Sequence, residues 1–311
     1  MVAKKRNKKS LQNKIKNEKE TNKGNFLVNF YKNNYKKLLI IPILMFIFGL
    51  VMIINTQKIE DSPIYRDVSL KGGLTANIDI VANVENLQSA LKKEFKDNSF
   101  ILSEVSEGGK QSGFIVDTDL QEKKLIPFLE KTLNTQLNEG ENYTSNFISP
   151  QLSNAFFTQA MYILLISFVL MSLVVFMYFK EFVPSFAVVL SAIFDITVTV
   201  GILNFLKFKI SIAGIGALLM LIGYSIDTDV LLTNRLVRER GTNYFEKTLY
   251  AFKTGSLMSA TTLIASIIAL ILTNSQIISE IVFILTIGLL VDYVSTWIQN
   301  SAILLWWIEK K

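Results

Sequence analysis

Long apolar runs alternate with polar segments along the 311-residue chain, and one polar interval is far longer than the others. A helix needs about 20 mostly apolar residues to cross the roughly 30 Å of hydrocarbon in a bilayer. Six runs approach or exceed that length, so the pattern predicts six transmembrane helices. The predicted spans are residues 38–54, 157–179, 182–205, 210–233, 255–273 and 277–307. We therefore expect an α-helical membrane protein with one helix, a domain over residues 55–153, and a five-helix bundle within residues 154–311.

The polar interval carries the alternation of strands and helices that is typical of a folded domain. The stretch "RDVSLKGGLTANIDI" alternates like a strand and is interrupted at Gly72 and Gly73, which indicates a bulge or a bend. An amphipathic segment follows, with Asn83 as its expected N-cap. Two further strands, a second amphipathic segment and a last strand complete the order β-α-β-β-α-β. That order is the split βαβ arrangement, so the sequence predicts a ferredoxin-like α+β domain between helices 1 and 2.

Composition narrows the chemistry available to the chain. Half of the residues are hydrophobic, and there is neither cysteine nor histidine. Disulfides, thiol chemistry and a Ser/His/Asp or Cys/His nucleophile are therefore excluded, and no metal site is expected. The phosphate-binding pattern G-x-x-x-x-G-K-[ST] is also absent from the sequence. We expect no cofactor and no enzymatic activity.

Positive charge is concentrated in residues 1–37, which hold twelve of the 32 Lys and Arg residues. We interpret this tail as mostly disordered, cytoplasmic and held near anionic lipid of the bilayer; no nucleic acid is expected as a partner. Basic residues also concentrate in the short loops on the same side and at the C-terminus, as the positive-inside rule requires. The pattern predicts a multi-pass protein of the cell (plasma) membrane. Both termini would be cytoplasmic, and the large loop would lie on the exported side.

Acidic residues inside membrane spans are costly and normally face the bundle interior or a water-filled path. Asp195 lies mid-way along the third span, with Ser191 and Thr199 one turn away on either side. Two interpretations stay open: an acid that fixes helix packing through hydrogen bonds, and a carboxylate that carries a proton. Glu280, near the outer end of the sixth span, is interpreted as interfacial. The candidate ion-coupling residues are Asp195, Asp227, Asp229, Arg235 and Asp292.

In the fourth span, helical geometry places Gly216, Gly223 and Asp227 on one stripe. Small residues allow a neighbouring helix to approach closely, so we expect this stripe to be packed and Asp227 to face Asp195. Asp229 points about 160° away from the centre of that stripe. It is expected to face water, Arg235 or a partner subunit.

Arg235 follows at the cytoplasmic boundary of the same span. It is either an interfacial anchor that obeys the positive-inside rule or a counter-ion for Asp227 or Asp229. In the sixth span, Gly288 and Asp292 lie one turn apart. Stripes of small, polar and acidic residues of this kind predict an internal seam between helices rather than a surface that faces lipid.

Several of these motifs resemble the SecD/SecF family of protein-export membrane proteins, in the archaeal form of its SecF members. "IGYSIDTDVLLTNR" is similar to the family's signature at the fourth helix. "DVSLKGGLTANI" resembles the element that opens its exported domain, and "PSFAVVLSAIFDITVTVG" resembles the third helix with its buried acid. "TIGLLVDYVSTWIQNSAILLW" is similar to the C-terminal end, so the likeness covers about residue 36 onwards. Bacterial members often have His before the third-helix acid, whereas this chain has Phe194. This difference weakens the inference that a bacterial proton relay operates in the same form here.

The resemblance implies a subunit that pairs with a SecD-like subunit and associates with a SecYEG-type translocon. There it would assist the translocation of preproteins, by a protonation-dependent rocking of helices that moves the exported domain. The residues that match the family's motifs are Asp195, Gly223, Tyr224, Asp227, Asp229 and Arg235. Two other functions stay open. One is a half-transporter of the resistance-nodulation-division (RND) superfamily that exports lipids or small molecules, and the other is a membrane assembly scaffold without ion coupling.

Overall fold

The structure is a computed structural model that describes residues 34–96, 98, 100–107, 110–238, 244–273 and 275–310. The basic tail expected over residues 1–37 lies outside the described residues, apart from 34–37, which are helical. Within the described residues, six helices are long and apolar enough to cross a membrane. A four-stranded sheet lies between the first two of them in the chain.

In chain order the elements are α1 (Ile40–Glu60), α2 (Val68–Lys71), β1 (Gly73–Ile78), α3 (Val84–Glu94), β2 (Phe100–Glu107), β3 (Lys110–Thr118), α4 (Glu122–Leu133), β4 (Tyr143–Ile148), α5 (Pro150–Phe179), α6 (Phe182–Phe205), α7 (Ile212–Val237), α8 (Tyr244–Leu272), α9 (Gln276–Val294), a π-helical segment (Ser295–Asn300) and α10 (Ser301–Lys310). The membrane helices are α1, α5, α6, α7, α8 and the continuous run from α9 to α10.

Two membrane helices extend beyond their apolar runs. α5 begins at Pro150 rather than near residue 157, because the Ser149 side chain accepts a hydrogen bond from the Leu152 amide and proline suits the first helical position. α8 begins at Tyr244 rather than near residue 255. No glycine or proline interrupts residues 244–254, so the helix continues past the apolar run.

α1 and α6 cross with their backbones in contact. A Cβ atom added at Gly49 would lie only 2.8 Å from the carbonyl oxygen of Thr197, and one added at Gly201 would overlap the Cα atom of Gly49. The rings of Phe46 and Phe194 stack beside this crossing, with centroids 6.1 Å apart. Small residues are what permit helices to approach this closely in a membrane. The crossing fixes α1 against α6, which also packs on α5, α7 and α9.

The strands pair antiparallel in the order β2-β3-β1-β4, so β1 and β3 are the central strands. α3 and α4 supply Leu91 and Leu129 to a core that also contains Phe114 and Val116 of β3, all fully buried. Asn83 caps α3 as the sequence predicts, because its side chain accepts a hydrogen bond of 2.9 Å from the Asn86 amide. The helices therefore cover one face of the sheet.

The segment before the two glycines differs from the expected strand. Residues 68–71 form the helical turn α2, and β1 begins only at Gly73. The predicted bend is present, since Gly72 and Gly73 have φ angles of +88° and +145°. A Cβ atom at Gly72 would lie 2.6 Å from the Cα of Pro150, and one at Gly73 would lie 2.6 Å from the Thr118 carbonyl oxygen. The pair therefore turns the chain where α2, β3 and the start of α5 meet.

Candidate functional site

Three acids of the membrane bundle are enclosed, and they come from three different helices. Asp195 of α6, Asp229 of α7 and Asp292 of α9 each expose at most 1% of their surface. The three groups interact electrostatically with one another. We call these three residues the acidic seam. Because the three acids belong to three different helices, any relative movement of these helices would change the arrangement of their carboxylates.

Asp195 links α6 to its neighbours through hydroxyl groups. Ser225 of α7 donates a hydrogen bond of 2.5 Å to Asp195 Oδ2. One turn before Asp195, Ser191 donates a hydrogen bond of 3.1 Å to Ser295, which lies in the π-helical segment. All of these residues are buried. The polar side of α6 predicted from Ser191 and Asp195 therefore faces the interior of the bundle.

The carboxylate of Asp292 accepts hydrogen bonds from two hydroxyl groups. Thr228 of α7 lies 3.3 Å and 3.2 Å from its two carboxylate oxygens, and Thr296 lies 3.3 Å from Oδ1. Thr228 and Thr296 are also 3.4 Å apart and can exchange a hydrogen bond. Because each hydroxyl can donate to more than one neighbour, this part of the seam can rearrange its hydrogen bonds without moving the backbone.

The π-helical segment completes the seam at Asp229. Asn300, its last residue, donates a hydrogen bond of 2.7 Å from Nδ2 to Asp229 Oδ1. π-helical turns are rare and occur often at functional sites. Here the wider turn keeps Asp292, Thr296 and Asn300 on the side of the helix that faces α7.

The expected roles of the two acids in the fourth span are reversed in the structure. Asp227 is exposed at the surface of the bundle, whereas Asp229 is the acid that joins Asp195. Ser225, two residues before Asp227, is the α7 side chain that reaches Asp195. The spacing on the helix was correct, but a helical stripe alone does not say which side of the helix faces its neighbours.

The glycines of the same stripe are also not packed within this chain. Among the residues that the structure describes, no atom lies within 4 Å of a Cβ atom placed at Gly216 or Gly223. Gly223 is exposed, and the neighbouring Tyr224 exposes 39% of its surface. The expected close packing at these positions is therefore wrong for the single chain. The stripe of Gly216, Gly223, Tyr224 and Asp227, which we call the outer stripe, lies on the surface of α7.

Gly288 and Arg235 are two other candidate residues from the sequence analysis. Gly288 of α9 packs directly on α7, because a Cβ atom there would overlap the side chain of Leu221. Arg235 lies half-buried in the last turn of α7, where a positive charge interacts favourably with the helix dipole. Three residues later, Arg238 donates a hydrogen bond to the Tyr178 carbonyl oxygen and lies over its ring, 4.2 Å from the ring centroid.

Several contributing residues are not among those singled out from the sequence. Ser225, Thr228 and Asn300 are neutral hydrogen-bonding side chains of the membrane helices, and their spacing from Asp229 and Asp292 is the signal that could have revealed them. Glu280, interpreted from the sequence as interfacial, also joins α9 to the start of α7. Its carboxylate accepts hydrogen bonds of 2.7 Å from both the backbone amide and the hydroxyl of Ser211, at the start of α7.

The seam can store a proton on physical grounds. Asp195 Oδ1 and Asp229 Oδ2 are buried without a hydrogen-bond partner among the residues that the structure describes. Leaving an ionised oxygen buried and unpaired is costly, and two or three like charges in one enclosed site repel each other. The hydrogen-bond donors described above for the three acids are hydroxyl and amide groups, which are neutral. A proton shared within the seam removes most of these costs. Across the described ranges, no group of three or more His, Cys, Asp or Glu side chains has a metal-binding arrangement.

The six apolar helices, the sheet domain after the first helix and the enclosed acids define a multi-pass α-helical membrane protein with an ionisable interior. A sequence profile described as "Protein export membrane protein SecD/SecF, C-terminal" matches residues 129–310. The protein-export membrane protein SecF of Methanothermobacter thermautotrophicus is 32% identical over 93% of this chain and 98% of its own length. The SecF protein of Methanolacinia petrolearia is 30% identical over 92% of this chain and 99% of its own length. The chain belongs to the SecD/SecF family of protein-export membrane proteins, among its SecF members.

Two solved structures share the fold. The crystal structure of SecDF from Thermus thermophilus, a translocon-associated membrane protein, superposes with a TM-score of 0.69 over 90% of this chain at 19% identity. A structure of SecDF in a super-membrane-facing form gives a TM-score of 0.60 over 89% of this chain at 18% identity. This chain spans only 38% of the chain in either structure.

Proposed function

We propose that this chain is the SecF-like subunit of a SecDF-type complex that assists preprotein translocation through a SecYEG-type channel. Protonation of the acidic seam couples this work to the proton gradient across the cell membrane. The observation that carries the coupling is the meeting of Asp195, Asp229 and Asp292, enclosed and supplied only with neutral donors in the hydrogen bonds described above. Protonation changes the charge of a site that joins α6, α7 and α9. It therefore changes how these helices pack.

The outer stripe supports a partner of related architecture. An acid and two uncovered glycines on the membrane-facing surface of α7 are unfavourable against lipid, because hydrocarbon offers Asp227 no hydrogen bond. The same features suit a packed interface, since small residues let another helix approach and a polar residue binds across it. A SecD-like subunit would cover this stripe and supply the partner for Asp227. Arg235 is proposed as part of the same coupling group at the inner end of α7.

The orientation proposed is that both termini are cytoplasmic and the sheet domain faces the exported side. Basic residues in the short loops and at the C-terminus favour this arrangement. The domain is proposed to be of the ferredoxin-like type; its antiparallel strand order β2-β3-β1-β4, with one helix after β1 and one after β3, supports that assignment.

Replacing Asp195 with asparagine tests the coupling. Asp195→Asn keeps the shape of the side chain and removes the group that accepts a proton. The export rate of a reporter preprotein, measured in cells with an otherwise inactivated gene, is expected to fall to the level of cells lacking the protein. The protein should still be inserted in the membrane at its normal level, as measured by immunoblotting.

Asp79→Asn is the matched control, because Asp79 is an exposed acid at the end of β1. It should export the reporter at the wild-type rate. If Asp195→Asn also matches wild type, the acids serve only packing, and the scaffold alternative gains instead. Dissipation of the proton gradient with a protonophore should remove the contribution of the wild-type protein without affecting the residual rate in the Asp195→Asn cells.

A further inference from the structure

The chain connection between α1 and the sheet domain is itself held against the membrane bundle. The segment before α2 runs alongside the loop between α6 and α7, where Arg66 and Ile210 form a parallel β-bridge. The Asp67 amide donates a hydrogen bond of 3.0 Å to the Ile210 carbonyl oxygen, and the Ile210 amide donates one of 2.8 Å to the Tyr65 carbonyl oxygen. Ser69 accepts a further bond of 3.3 Å from the Ile212 amide. These contacts, which we call the clasp, fix the chain just before the sheet domain to the α6–α7 loop and the start of α7.

A cavity of about 540 Å³ lies beside the clasp, between the sheet and the ends of the helices. The sheet contributes Ser103 and Asp117, the α6–α7 loop contributes Lys207 and Lys209, and α9 contributes Glu280. The cavity is therefore lined from both bodies, and its charged groups face one another across the contact. A change of charge on either side alters the energy of docking.

Asp117 is the acid of the sheet that this contact encloses. Phe114 and Val116 point into the core of the domain, so Asp117, one position later on β3, points to the opposite face. That face carries neither α3 nor α4. Asp117 nevertheless exposes only 8% of its surface, and its carboxylate accepts a hydrogen bond of 2.6 Å from the Thr75 hydroxyl. It lines the same cavity as Lys207 and Lys209 of the α6–α7 loop.

Burial raises the pKa of Asp117 from an ordinary 3.8 to about 6. The Thr75 hydroxyl lowers this pKa, the nearby Asp67 raises it, and Lys209 lowers it. The removal of the carboxylate from water is the largest of these effects. Asp117 therefore keeps its proton up to a pH of about 6, whereas an exposed aspartate is already ionised there.

Lys209, in the α6–α7 loop of the bundle, is also removed from water. Burial lowers the pKa of its ammonium group. Asp67, Glu60 and Asp117 oppose that change, while Lys71 adds to it. Lys71 and Glu60 in turn form an ion pair of 3.4 Å. Both charged partners across the contact therefore lose hydration when the domain is docked.

We propose that the sheet domain docks on the membrane bundle through a pH-responsive contact at Asp117, which acidification of the surrounding compartment strengthens. The sign follows from linkage. A group whose pKa is higher in the docked form stabilises docking when it is protonated, and this stabilisation is lost as the pH rises through about 6. We take the pKa of Asp117 as about 6 in the docked form and 3.8, its ordinary value, in the undocked form. The ratio of docked to undocked domain then rises tenfold for each pH unit below 6, so it should rise about tenfold between pH 7.5 and pH 5.

Paired spin labels can measure this equilibrium directly, because the chain contains no cysteine of its own. We would introduce Ser89→Cys on α3 and Leu272→Cys at the end of α8, both exposed positions. Distances between the labels, measured in detergent by pulsed electron resonance, should show a docked population that grows from pH 7.5 to pH 5. The clasp should act as the hinge, so the undocked population should show a broader range of distances.

Asp117→Asn, added to the labelled protein, should keep the domain docked and abolish the pH response. Asp79→Asn, at an exposed acid of the same sheet, should leave the response unchanged. A wild-type distance distribution that is the same at both pH values would overturn the proposal. So would a pH response that survives in Asp117→Asn. Neither measurement needs a partner or an export assay, so their failure would leave the proposed export function untouched.

Discussion

At Gly201, one hydrogen atom in place of a side chain decides how closely α1 approaches α6. Gly201→Ala is expected to destabilise the bundle by about 1–3 kcal/mol, because the new methyl group would overlap the Gly49 backbone and the helices must separate. Thermal unfolding in detergent, followed by circular dichroism, measures the change. Gly216→Ala is the control, since no described residue has an atom within 4 Å of a Cβ atom at that position. Equal unfolding temperatures for the two variants would show that the crossing relaxes at no cost.

Individual residues of the seam were predictable to different degrees. The burial of Asp195 follows from its position mid-way along an apolar run, because a charged group at that depth must face protein or water. The sequence did not show which of Asp227 and Asp229 faces the other helices of the bundle. Helical spacing gives the angle between two side chains but not the direction of the neighbouring helices, which depends on packing along the whole of α7.

The start of α7 depends on two hydrogen-bonding side chains rather than on apolar packing alone. Ser211 accepts bonds from the amides of Ala213 and Gly214, while Glu280 of α9 binds the Ser211 amide and hydroxyl. Ser211→Ala should destabilise the protein by about 0.5–2 kcal/mol, through the loss of an N-cap that also joins two helices. Thermal unfolding in detergent would again be the measurement.

Ser275→Ala is the comparison for that prediction. Ser275 caps α9 through one bond of 3.5 Å to the Ile278 amide, so its removal should cost less. If the two alanine variants unfold at the same temperature, the link from Ser211 to Glu280 contributes nothing beyond an ordinary cap.

The membrane helices were predictable as elements because their apolar runs match the thickness of a bilayer. Their ends were less predictable: α5 and α8 continue into polar sequence where a cap or the absence of a helix breaker permits it. The π-helical turn at residues 295–300 has no sequence pattern of its own. It is stabilised by contacts with α6 and α7, such as the bond from Asn300 to Asp229.

On the scale of the whole molecule, the outer stripe predicts how the proposed SecD-like subunit would be held. Gly223→Leu should greatly reduce the amount of SecD-like protein that co-purifies in mild detergent, because the larger side chain would prevent a helix from approaching α7. Ala265→Leu makes a comparable change on the exposed side of α8 and should leave co-purification unchanged. Equal recovery of the partner with both variants would contradict the assignment of the outer stripe.

The order of elements in the sheet domain could be read from the sequence, since strands and helices there have different periods of hydrophobic residues. The way the domain sits on the bundle could not. The clasp joins Tyr65 and Asp67 to Ile210 through backbone groups, and backbone hydrogen bonds leave no trace in residue type. The enclosure of Asp117 depends on that contact and was therefore invisible in the sequence as well.

The crossing of Gly49 and Gly201 also sets an order of events during synthesis. About 150 residues separate the two glycines, and the whole sheet domain lies between them. At a synthesis rate of about 5–20 residues per second, α1 is made roughly eight to thirty seconds before its packing partner. During that interval α1 has only lipid, other proteins or its own insertion machinery to contact. The sheet domain is meanwhile complete and able to fold before α6 is made, so α1 packs on α6 only after that domain has been synthesised.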